Sequence, residues 1–414
     1  MTTYGSRQAL YSFSRPPHSL ELPTMTSNVI LSARRTPVGR FFGGFSRVPS
    51  PQLGAFAVEA ALASAGVDAA DVDECIMGCV LQAGLGQNPA RQAALKGGLP
   101  VTVSAQTINK VCGSGLQAVM SADQSIRAGD NAIVVAGGFE NMTRAPHYAD
   151  VRSGIKFGPG TLNDHMAHDG LECAFEGWGM GMAAEHTADK HSICREDMDA
   201  LAAESHQRAA KAAAEGWFDA EIIPLSSEQL KSRADVTADE GIRADATVES
   251  MGKLRTAFKK DGTVTAGNAS QISDGGAAVI VASKEAAAKC GATPLARIVA
   301  TNTVGVEPKD LFEAPGYGVE KLLKSAGLSV DDIDLFELNE AFAAQALCNM
   351  RHLKVDPAKV NVCGGAIAIG HPIGGSGARV LVTLVNQMQR LDVKYGVASL
   401  CLGGGNAVSM LLAR

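Results

Sequence analysis

The feature that most constrains the fold is a turn–helix–strand pattern that occurs once in each half of the chain. In the first half, the β-prone segment 103–108 runs into the turn 109–115, a helical pattern follows, and the buried strand 132–136 ends in two glycines. In the second half, the glycine-rich segment 364–377 precedes a helical pattern and the strand 397–400, which again runs into glycines. This alternation is typical of layered α/β proteins. The sequence therefore predicts two similar α/β halves packed together.

The middle of the chain, 144–272, differs from both halves. It is richer in charge and contains two long patterns of helical spacing, 180–191 and 196–214. We interpret it as a lobe inserted into the first half, because α/β texture returns at the strand-like segment 277–282. The predicted organisation is an N-terminal tail at 1–27, a first half at 28–143 and 273–293, an inserted lobe at 144–272, and a second half at 294–414.

The N-terminal tail is predicted to be disordered. It contains Arg7, Arg15 and several serines, but only one acidic residue, Glu21. This composition also fits a mitochondrial presequence at 1–25, or a start codon upstream of the true start at Met25. A secretory signal is not indicated, so we expect a cytoplasmic protein, with the mitochondrion as the alternative.

Composition narrows the function classes. The chain has 414 residues, 46% of them hydrophobic and 45 of them glycine, which suits an α/β enzyme with more than one core. A net charge of −6 argues against nucleic-acid binding. The nine cysteines lack framework spacing, which predicts free thiols in a reducing compartment. No apolar run reaches the about 18 residues that a membrane helix needs.

Cys112 is the first candidate for chemistry. It lies where a β-prone segment meets a helical pattern, so backbone N–H groups and the positive end of the helix dipole are expected to stabilise its thiolate. Such a setting suits a sulfur nucleophile. A buried structural cysteine is the alternative, and other residues must decide between the two.

Three further residues stand at sharp turns. His371 is fixed between Gly370 and Pro372, as a general base requires, although a core or surface histidine is the alternative. Cys401 runs into three glycines, whose N–H groups suit an oxyanion hole. Asn339 ends a predicted strand and is able to orient a water. Together with Cys112, these residues favour acyl transfer through a thioester, whereas a simple cysteine hydrolase leaves Cys401 unexplained.

Two pairs of residues are candidate metal ligands. Cys75 and Cys79 lie in an apolar strand with no matching pair, so core packing is favoured. His165 and His168 are spaced by one helical turn with acids on both sides, and we favour a site without metal there as well. A further short strand is predicted at 361–363.

Several loops carry motifs in a fixed order. They are Arg35-Thr36-Pro37-Val38-Gly39, Asn109 to Gly115, Asn339-Glu340-Ala341-Phe342, Gly370-His371-Pro372 and Cys401-Leu402-Gly403-Gly404-Gly405. On these residues the chain resembles the thiolase family, of the acetyl-CoA C-acetyltransferase type, from residue 28 to residue 414. The resemblance implies the thiolase fold, with two α/β halves in a layered αβαβα arrangement and an inserted lobe that covers a coenzyme A tunnel.

The resemblance also implies catalytic roles. Cys112 would carry the acyl group, and His371 would activate it. Cys401 would act as the acid and base at the acetyl-CoA methyl group. Asn339 would hold a water that forms one oxyanion hole with His371, and the N–H groups of Cys112 and Gly403 would form the other.

Coenzyme A and acetyl-CoA are implied as substrates, with no permanently bound cofactor and no metal. The resemblance further implies a homotetramer, or at least a dimer, that acts in fatty acid metabolism without nucleic-acid or membrane partners. Contacts with coenzyme A or its acyl group are implied for Arg243, Ser250, Phe258, Ala266, Ser270 and Met180.

The chain departs from the family pattern near these sites. Gly179 stands where short-chain relatives often carry a histidine, which leaves the choice between an acetyl-CoA acetyltransferase and a 3-ketoacyl-CoA thiolase open. Ser273 stands where asparagine is common. The alternatives are a ketoacyl synthase relative, which lacks a second catalytic cysteine, and a non-catalytic acyl-CoA binder, which would be expected to lose active-site residues.

Overall fold

The computed structural model describes residues 27–414. The predicted tail at 1–27 therefore lies outside the described residues, apart from Ser27. Within this range the protein is a mixed α/β structure. Its strands are β1 (Val29–Arg35), β2 (Gly39–Arg40), β3 (Glu74–Gly78), β4 (Ser104–Ile108), β5 (Ile133–Asn141), β6 (His147–Tyr148), β7 (Asn163–Asp164), β8 (Ser273–Ala282), β9 (Ala296–Gly305), β10 (Leu335–Leu338), β11 (Tyr395–Leu402) and β12 (Asn406–Ala413).

The α-helices alternate with these strands, and several short helical turns connect them. The α-helices are α1 (Ser50–Ala65), α2 (Pro89–Lys96), α3 (Ser114–Ala128), α4 (Met180–Lys190), α5 (Arg195–Ala214), α6 (Ser227–Leu230), α7 (Val248–Gly252), α8 (Lys284–Lys289), α9 (Ala314–Ala326), α10 (Ala343–Leu353), α11 (Ala366–Ile369) and α12 (Ile373–Leu391). No helix within 27–414 is both long enough and apolar enough to cross a membrane.

Most strands belong to one ten-stranded sheet. Its order is β10-β11-β12-β9-β1-β8-β5-β3-β4, with β2 paired to β8. The pairs β3–β4, β3–β5 and β10–β11 are parallel. Strands β1 and β9 meet through a short pairing of Val29 with Arg297 and of Ile30 with Ala296. This joint divides the sheet into an N-terminal and a C-terminal part.

Helices cover both parts of the sheet on both faces. Helix α12 contacts β8 and β5 of the N-terminal part and β11 and β10 of the C-terminal part, and α3 lies beside it against β3 and β5. Helix α1 packs against β8, β5 and β1, whereas α9 packs against β12, β9 and β11. The central helices are buried in a core shared by both parts, and α1 and α9 each complete a separate apolar cluster. The predicted layered αβαβα arrangement is confirmed.

The first turns of α3 and α12 lie in direct backbone contact. A Cβ atom at Gly115 would lie 2.7 Å from the Ala378 nitrogen, and one at Gly377 would lie 2.4 Å from the Leu116 nitrogen. Beneath them, a Cβ atom at Gly138 of β5 would lie 2.2 Å from a carbonyl oxygen of α12. Only glycine permits this approach. The contact brings the N-terminal ends of the two central helices together.

Segment 144–272 is anchored to the core by buried ion pairs. The buried guanidinium of Arg35, at the end of β1, pairs with Asp239 at 2.7 Å and with Glu221 at 2.7 Å. Glu221 also accepts a hydrogen bond from Thr383 of α12 at 3.1 Å. Helices α4 and α5 of this segment pack against α10. The segment is therefore fixed to both parts of the sheet.

One predicted strand is wrong. Residues 361–363 form a turn in which Asn361 has a φ of 47°. Its side chain accepts a hydrogen bond from the Leu338 N–H at 2.9 Å and donates one to the Leu338 carbonyl at 2.8 Å. An amide side chain thus extends the hydrogen bonding at the end of β10, where a strand backbone was predicted.

We expect the change Gly377→Ala to destabilise the protein. The added methyl group would meet backbone atoms of α3, which cannot move aside as a side chain can, and overpacking of this kind costs about 1–3 kcal/mol. The measurement is the free energy of unfolding in denaturant. Gly252→Ala is the control, because a Cβ atom there meets nothing within 4 Å. Equal stability of the two variants would contradict the proposed contact.

Candidate active site

Cys112 lies in a tight turn between β4 and α3. The preceding residue, Val111, has a φ of 48°, a strained left-handed conformation for a β-branched side chain. The Ser114 hydroxyl closes the turn, because it accepts a hydrogen bond from the Lys110 N–H at 2.8 Å and donates one to the Val111 carbonyl at 2.6 Å. The turn places Cys112 just ahead of the first turn of α3.

The backbone N–H groups of Cys112 and Gly403 lower the pKa of the Cys112 thiol. Burial nevertheless raises the pKa of the thiol to about 12, and the carboxylate of Glu140 acts in the same direction. The local N–H groups act in the predicted direction, but desolvation outweighs them, so the net effect of the fold is a raised pKa. The neutral thiol of Cys112 is therefore favoured in the free protein.

His371 is held by its backbone on both sides. Gly370, with a φ of 117°, permits the sharp turn into it. The His371 N–H donates to the Gln271 carbonyl at 3.1 Å and to the Ser273 hydroxyl at 3.2 Å. These bonds tie the histidine to the segment that leads into β8, in the N-terminal part of the sheet.

The two ring nitrogens of His371 differ: Nδ1 is hydrogen-bonded to Ser376, and Nε2 is available to accept a proton. The Ser376 hydroxyl donates to the Pro372 carbonyl at 2.8 Å, so it accepts a hydrogen bond from His371 Nδ1–H at 2.6 Å. This leaves Nε2 as the unprotonated nitrogen. Burial, assisted by the charge of Arg379, lowers the pKa of His371 to about 4. A neutral imidazole with a fixed tautomer is a general base ready for use.

Cys401 and Asn339 end two neighbouring parallel strands, β11 and β10. Leu338 pairs with Ser399, and the Asn339 N–H donates to the Ser399 carbonyl at 3.0 Å. Both polar atoms of the buried Asn339 side chain lack a partner among the described residues. A buried amide in this state suits the binding of a water, because unpaired buried polar groups are costly.

The second thiol, Cys401, lies close to the first. Burial raises the pKa of Cys401 well above its usual range, and the neighbouring Cys112 raises it further. The loop that follows Cys401 packs on the Cys112 turn, since a Cβ atom at Gly113 would lie 2.2 Å from Leu402 Cδ2. Gly403 would likewise meet Val111 at 3.3 Å. The two thiols therefore share one site.

The catalytic candidates converge from separate elements. Cys112 precedes α3 and His371 precedes α12, and these two helices touch at their first turns. Asn339 and Cys401 come from adjacent strands that end at the same edge. The structure thus places the predicted Cys112, His371, Asn339, Cys401 and Gly403 on turns and strand ends of adjacent elements. Two thiols, an imidazole, an amide and backbone N–H groups are available in this region.

Two family profiles match the chain. The profile of the thiolase N-terminal domain covers residues 28–285, and that of the thiolase C-terminal domain covers residues 292–414. The chain belongs to the thiolase family. Both profiles include residues of the site described above.

Named relatives agree with this assignment. A probable acetyl-CoA acyltransferase of Staphylococcus aureus strain COL is 50% identical over 392 residues, which cover 94% of this chain and 100% of the relative. The protein of the same name from strain MRSA252 is 49% identical with the same coverage. The crystal structure of the Bacillus anthracis acetyl-CoA acetyltransferase superimposes with a TM-score of 0.91 at 40% identity, covering 94% of this chain and 99% of that chain.

The predicted coenzyme A contacts of this thiolase lie along a segment that leads away from the site. Arg243, Ser250 and Ala266 are exposed. Phe258 is half exposed, and its ring meets that of Phe342 edge-on with centroids 6.0 Å apart.

Two other predicted contacts lie nearer the second thiol. The Ser270 N–H donates to the Ala341 carbonyl at 3.0 Å, which ties this segment to the loop of Asn339. Met180 is half-buried against the apolar cluster that contains Cys401. The structure places Met180 against the cluster that contains Cys401, places Ser270 and Phe258 against the loop after Asn339, and leaves Arg243 and Ser250 on the surface.

His165 and His168, the two histidines that are candidate metal ligands, each pair with an acidic residue in this thiolase. His165 Nδ1 lies 2.6 Å from Asp169, and His168 Nδ1 lies 3.2 Å from Glu172. Within residues 27–414, no group of three or more His, Cys, Asp or Glu side chains is arranged to hold a metal. Cys75 and Cys79 are buried in the core, as predicted.

Three supporting residues escaped the sequence interpretation. Ser376 fixes the tautomer of His371, and a hydroxyl in the first turn of the helix after Gly370-His371-Pro372 was an available local signal. From the sequence, Ser273 is only a departure from the family pattern. In the structure its hydroxyl accepts a hydrogen bond from the His371 N–H. Glu140 is buried near Cys112 and had no local signal, because its partners are distant in sequence.

We expect the contribution of His371 to the stability of this thiolase to fall as the pH drops from about 6.5 to about 4. Unfolded histidine takes up a proton near the upper value, whereas His371 remains neutral until about 4. The folded-state pKa is lowered, so the contribution is complete above 6.5, and its loss amounts to at most roughly 3 kcal/mol. The measurement is the free energy of unfolding against pH for the wild type and His371→Asn.

The variant should give a flatter curve over this range. His206 is also buried and has a pKa of about 4, so His206→Asn is a matched comparison that should flatten the curve in the same way. Parallel curves for the wild type and His371→Asn would contradict the lowered pKa of His371.

Proposed function

We propose that this thiolase catalyses thiolysis of 3-ketoacyl-CoA and its reverse, the Claisen condensation of acetyl-CoA to acetoacetyl-CoA, through an acyl group carried on Cys112. The observation that carries the proposal is the placement of two neutral thiols beside a histidine with a free Nε2. A hydrolase needs only one thiol and a base. A reaction that forms or breaks a carbon–carbon bond also needs an acid and base for a carbon atom, and the second thiol can supply it.

In thiolysis, the Cys112 thiol gives its proton to His371 Nε2 as its sulfur attacks the 3-keto carbonyl. The N–H groups of Cys112 and Gly403 stabilise the oxyanion that forms on this carbonyl. A water on Asn339 and His371 Nε2–H, which cannot donate before it has taken the proton, stabilise the enolate oxygen that develops on the thioester. The bond between the second and third acyl carbons then breaks. Cys401 gives its proton to the departing carbanion, which leaves as acetyl-CoA. The raised pKa of Cys401 ensures that this thiol holds a proton to give.

The second half-reaction restores the enzyme. The Cys401 thiolate takes the proton of the coenzyme A thiol, whose sulfur attacks the acyl group on Cys112. The N–H groups of Cys112 and Gly403 stabilise this second oxyanion. The Cys112 sulfur leaves with the proton from His371. Atoms and charge balance over the cycle, and condensation is the same sequence in reverse.

We further propose that segment 144–272 covers the coenzyme A tunnel, with the exposed Arg243 and Ser250 at the nucleotide end and Phe258, Ala266 and Ser270 along the pantetheine arm. Support comes from the Phe258–Phe342 contact and the Ser270–Ala341 hydrogen bond, which tie this segment to the catalytic loops. The family favours a cytoplasmic homotetramer in fatty acid metabolism without a resident cofactor. The named relatives are bacterial.

We expect Cys112→Ala to lower kcat for thiolysis of acetoacetyl-CoA by at least about a thousandfold, because removal of a covalent nucleophile removes the pathway. Mass spectrometry should find no acyl adduct on this variant. Cys401→Ala should still form the acyl adduct from acetyl-CoA, but exchange of the acetyl-CoA methyl protons with solvent should nearly stop. Normal turnover by Cys112→Ala would overturn the mechanism.

The choice between an acetyl-CoA acetyltransferase and a 3-ketoacyl-CoA thiolase depends on space at Gly179. A Cβ atom there would meet only the Leu171 carbonyl, at 3.9 Å, so the position has room for a larger side chain. We propose that this room admits chains longer than acetoacetyl, because Gly179 directly precedes Met180 of the acyl pocket.

The test is kcat/KM for thiolysis of a series from acetoacetyl-CoA to 3-ketodecanoyl-CoA. We expect the wild type to accept the longer members, and Gly179→His to lose about tenfold or more on them relative to acetoacetyl-CoA, since filled space rejects added methylene groups. Gly252→Ala, far along the surface helix α7, is the control. An unchanged ratio in Gly179→His would contradict the role of this position.

A further inference from the structure

Glu140 is a fully buried carboxylate that the proposed mechanism does not use. It lies near the end of β5. Its Oε2 accepts hydrogen bonds from the Val80 N–H at 2.9 Å and the Gly374 N–H at 3.0 Å, and its Oε1 accepts one from the Leu81 N–H at 3.2 Å. The Cys79 thiol donates to Oε1 at 3.5 Å. Every polar contact of the carboxylate is therefore an acceptor contact.

The donors belong to two segments that flank Cys112. Val80 and Leu81 follow β3, whereas Gly374 lies in the first turn of α12, just after the His371 turn. Cys112 packs against an apolar cluster that includes Val80, Leu81 and Ile373. The carboxylate thus joins the two walls that the nucleophile touches.

The geometry leaves little freedom to Glu140. A Cβ atom at Gly374 would lie 2.8 Å from Oε2, so the helix backbone approaches the carboxylate closely. The position at the start of the 19-residue helix α12 favours negative charge. Burial raises the pKa of Glu140 to about 7, and the three N–H groups oppose that rise. A carboxylate meets three donors better than an amide, which would turn an N–H group toward another N–H group.

We propose that Glu140 is a positioning residue of the thiolase reaction: its carboxylate holds the first turn of α12 against the loop after β3, and so fixes His371 relative to Cys112. The proposal rests on the function proposed above. The same carboxylate is near enough to act on the Cys112 thiol electrostatically. Its charge adds to the effect of burial, which raises the pKa of that thiol.

The test compares Glu140→Gln and Glu140→Asp with the wild type in two measurements. The first is kcat and KM for thiolysis of acetoacetyl-CoA. The second is the rate of Cys112 alkylation by iodoacetamide against pH, followed on the Cys112 peptide by mass spectrometry because the exposed Cys194 is expected to react as well.

Glu140→Gln should lower kcat by about tenfold or more with KM changed less than about threefold, because the reacting groups are misplaced while the coenzyme A contacts remain. Its Cys112 alkylation should reach half of its maximal rate at a lower pH than in the wild type, since a negative charge beside the thiol is gone. Glu140→Asp should keep the wild-type alkylation profile, because the charge remains, and should lose kcat, because the shorter side chain cannot reach both walls.

Asp73→Asn is the matched control. Asp73 Oδ2 accepts hydrogen bonds from the Ala132 N–H at 2.6 Å and the Ile133 N–H at 2.9 Å at the opposite end of β5. This variant also replaces a carboxylate that holds backbone N–H groups, but far from Cys112. We expect it to leave kcat and the alkylation profile unchanged.

An alkylation profile in folded Glu140→Gln that equals the wild-type profile would overturn the proposal, and so would a wild-type kcat in Glu140→Asp. If Glu140→Gln does not fold, the test depends on Glu140→Asp: a lowered kcat supports the proposal, and a wild-type kcat overturns it. These outcomes differ from failure of the proposed function, which would appear as normal turnover by Cys112→Ala.

Discussion

The backbone contact between the first turns of α3 and α12 is the constraint on which the active site depends. Cys112 stands two residues before α3, and His371 stands two residues before α12. The relative position of nucleophile and base is therefore set by how closely the two helices approach. Gly115 and Gly377 permit that approach, although each glycine costs a helix about 1 kcal/mol relative to alanine. The cost is offset because α12 is apolar and buried along nearly its whole length.

Burial favours the neutral forms of the two thiols and of His371. It raises the pKa of both thiols and lowers that of His371. In the proposed mechanism, the N–H donors around Cys112 bind a negative charge only when an oxyanion forms. Fixed hydrogen-bond donors that bind the oxyanion more strongly than they bind the ground state lower the barrier of the reaction. The buried amide of Asn339, which has no partner among the described residues, fits the same proposal, because the water that it would bind is one of these donors.

The sequence predicted features that depend on local spacing and missed those that depend on distant partners. Helices α4 and α5 match the predictions for 180–191 and 196–214 within a residue or two, because apolar periodicity is local. The local N–H groups at Cys112 favour the thiolate as predicted, but the raised net pKa could not be predicted, because burial depends on the whole fold. Glu140 escaped because one of its donors is 234 residues away. The turn at Asn361 escaped because a side chain there replaces backbone pairing.

The repeated architecture explains how one pattern supplies two different catalytic groups. Cys112 and His371 occupy equivalent positions, each in the turn before a central helix of its own half. In the first half that turn carries the proposed nucleophile, and in the second half it carries the proposed base. Neither half holds both, so the reacting pair forms only where the halves meet. Glu140 of the first half bonds the first turn of the second-half helix, and Ser273, at the start of β8, bonds the backbone of His371. Contacts between the halves, rather than contacts within either one, therefore determine whether the site is assembled.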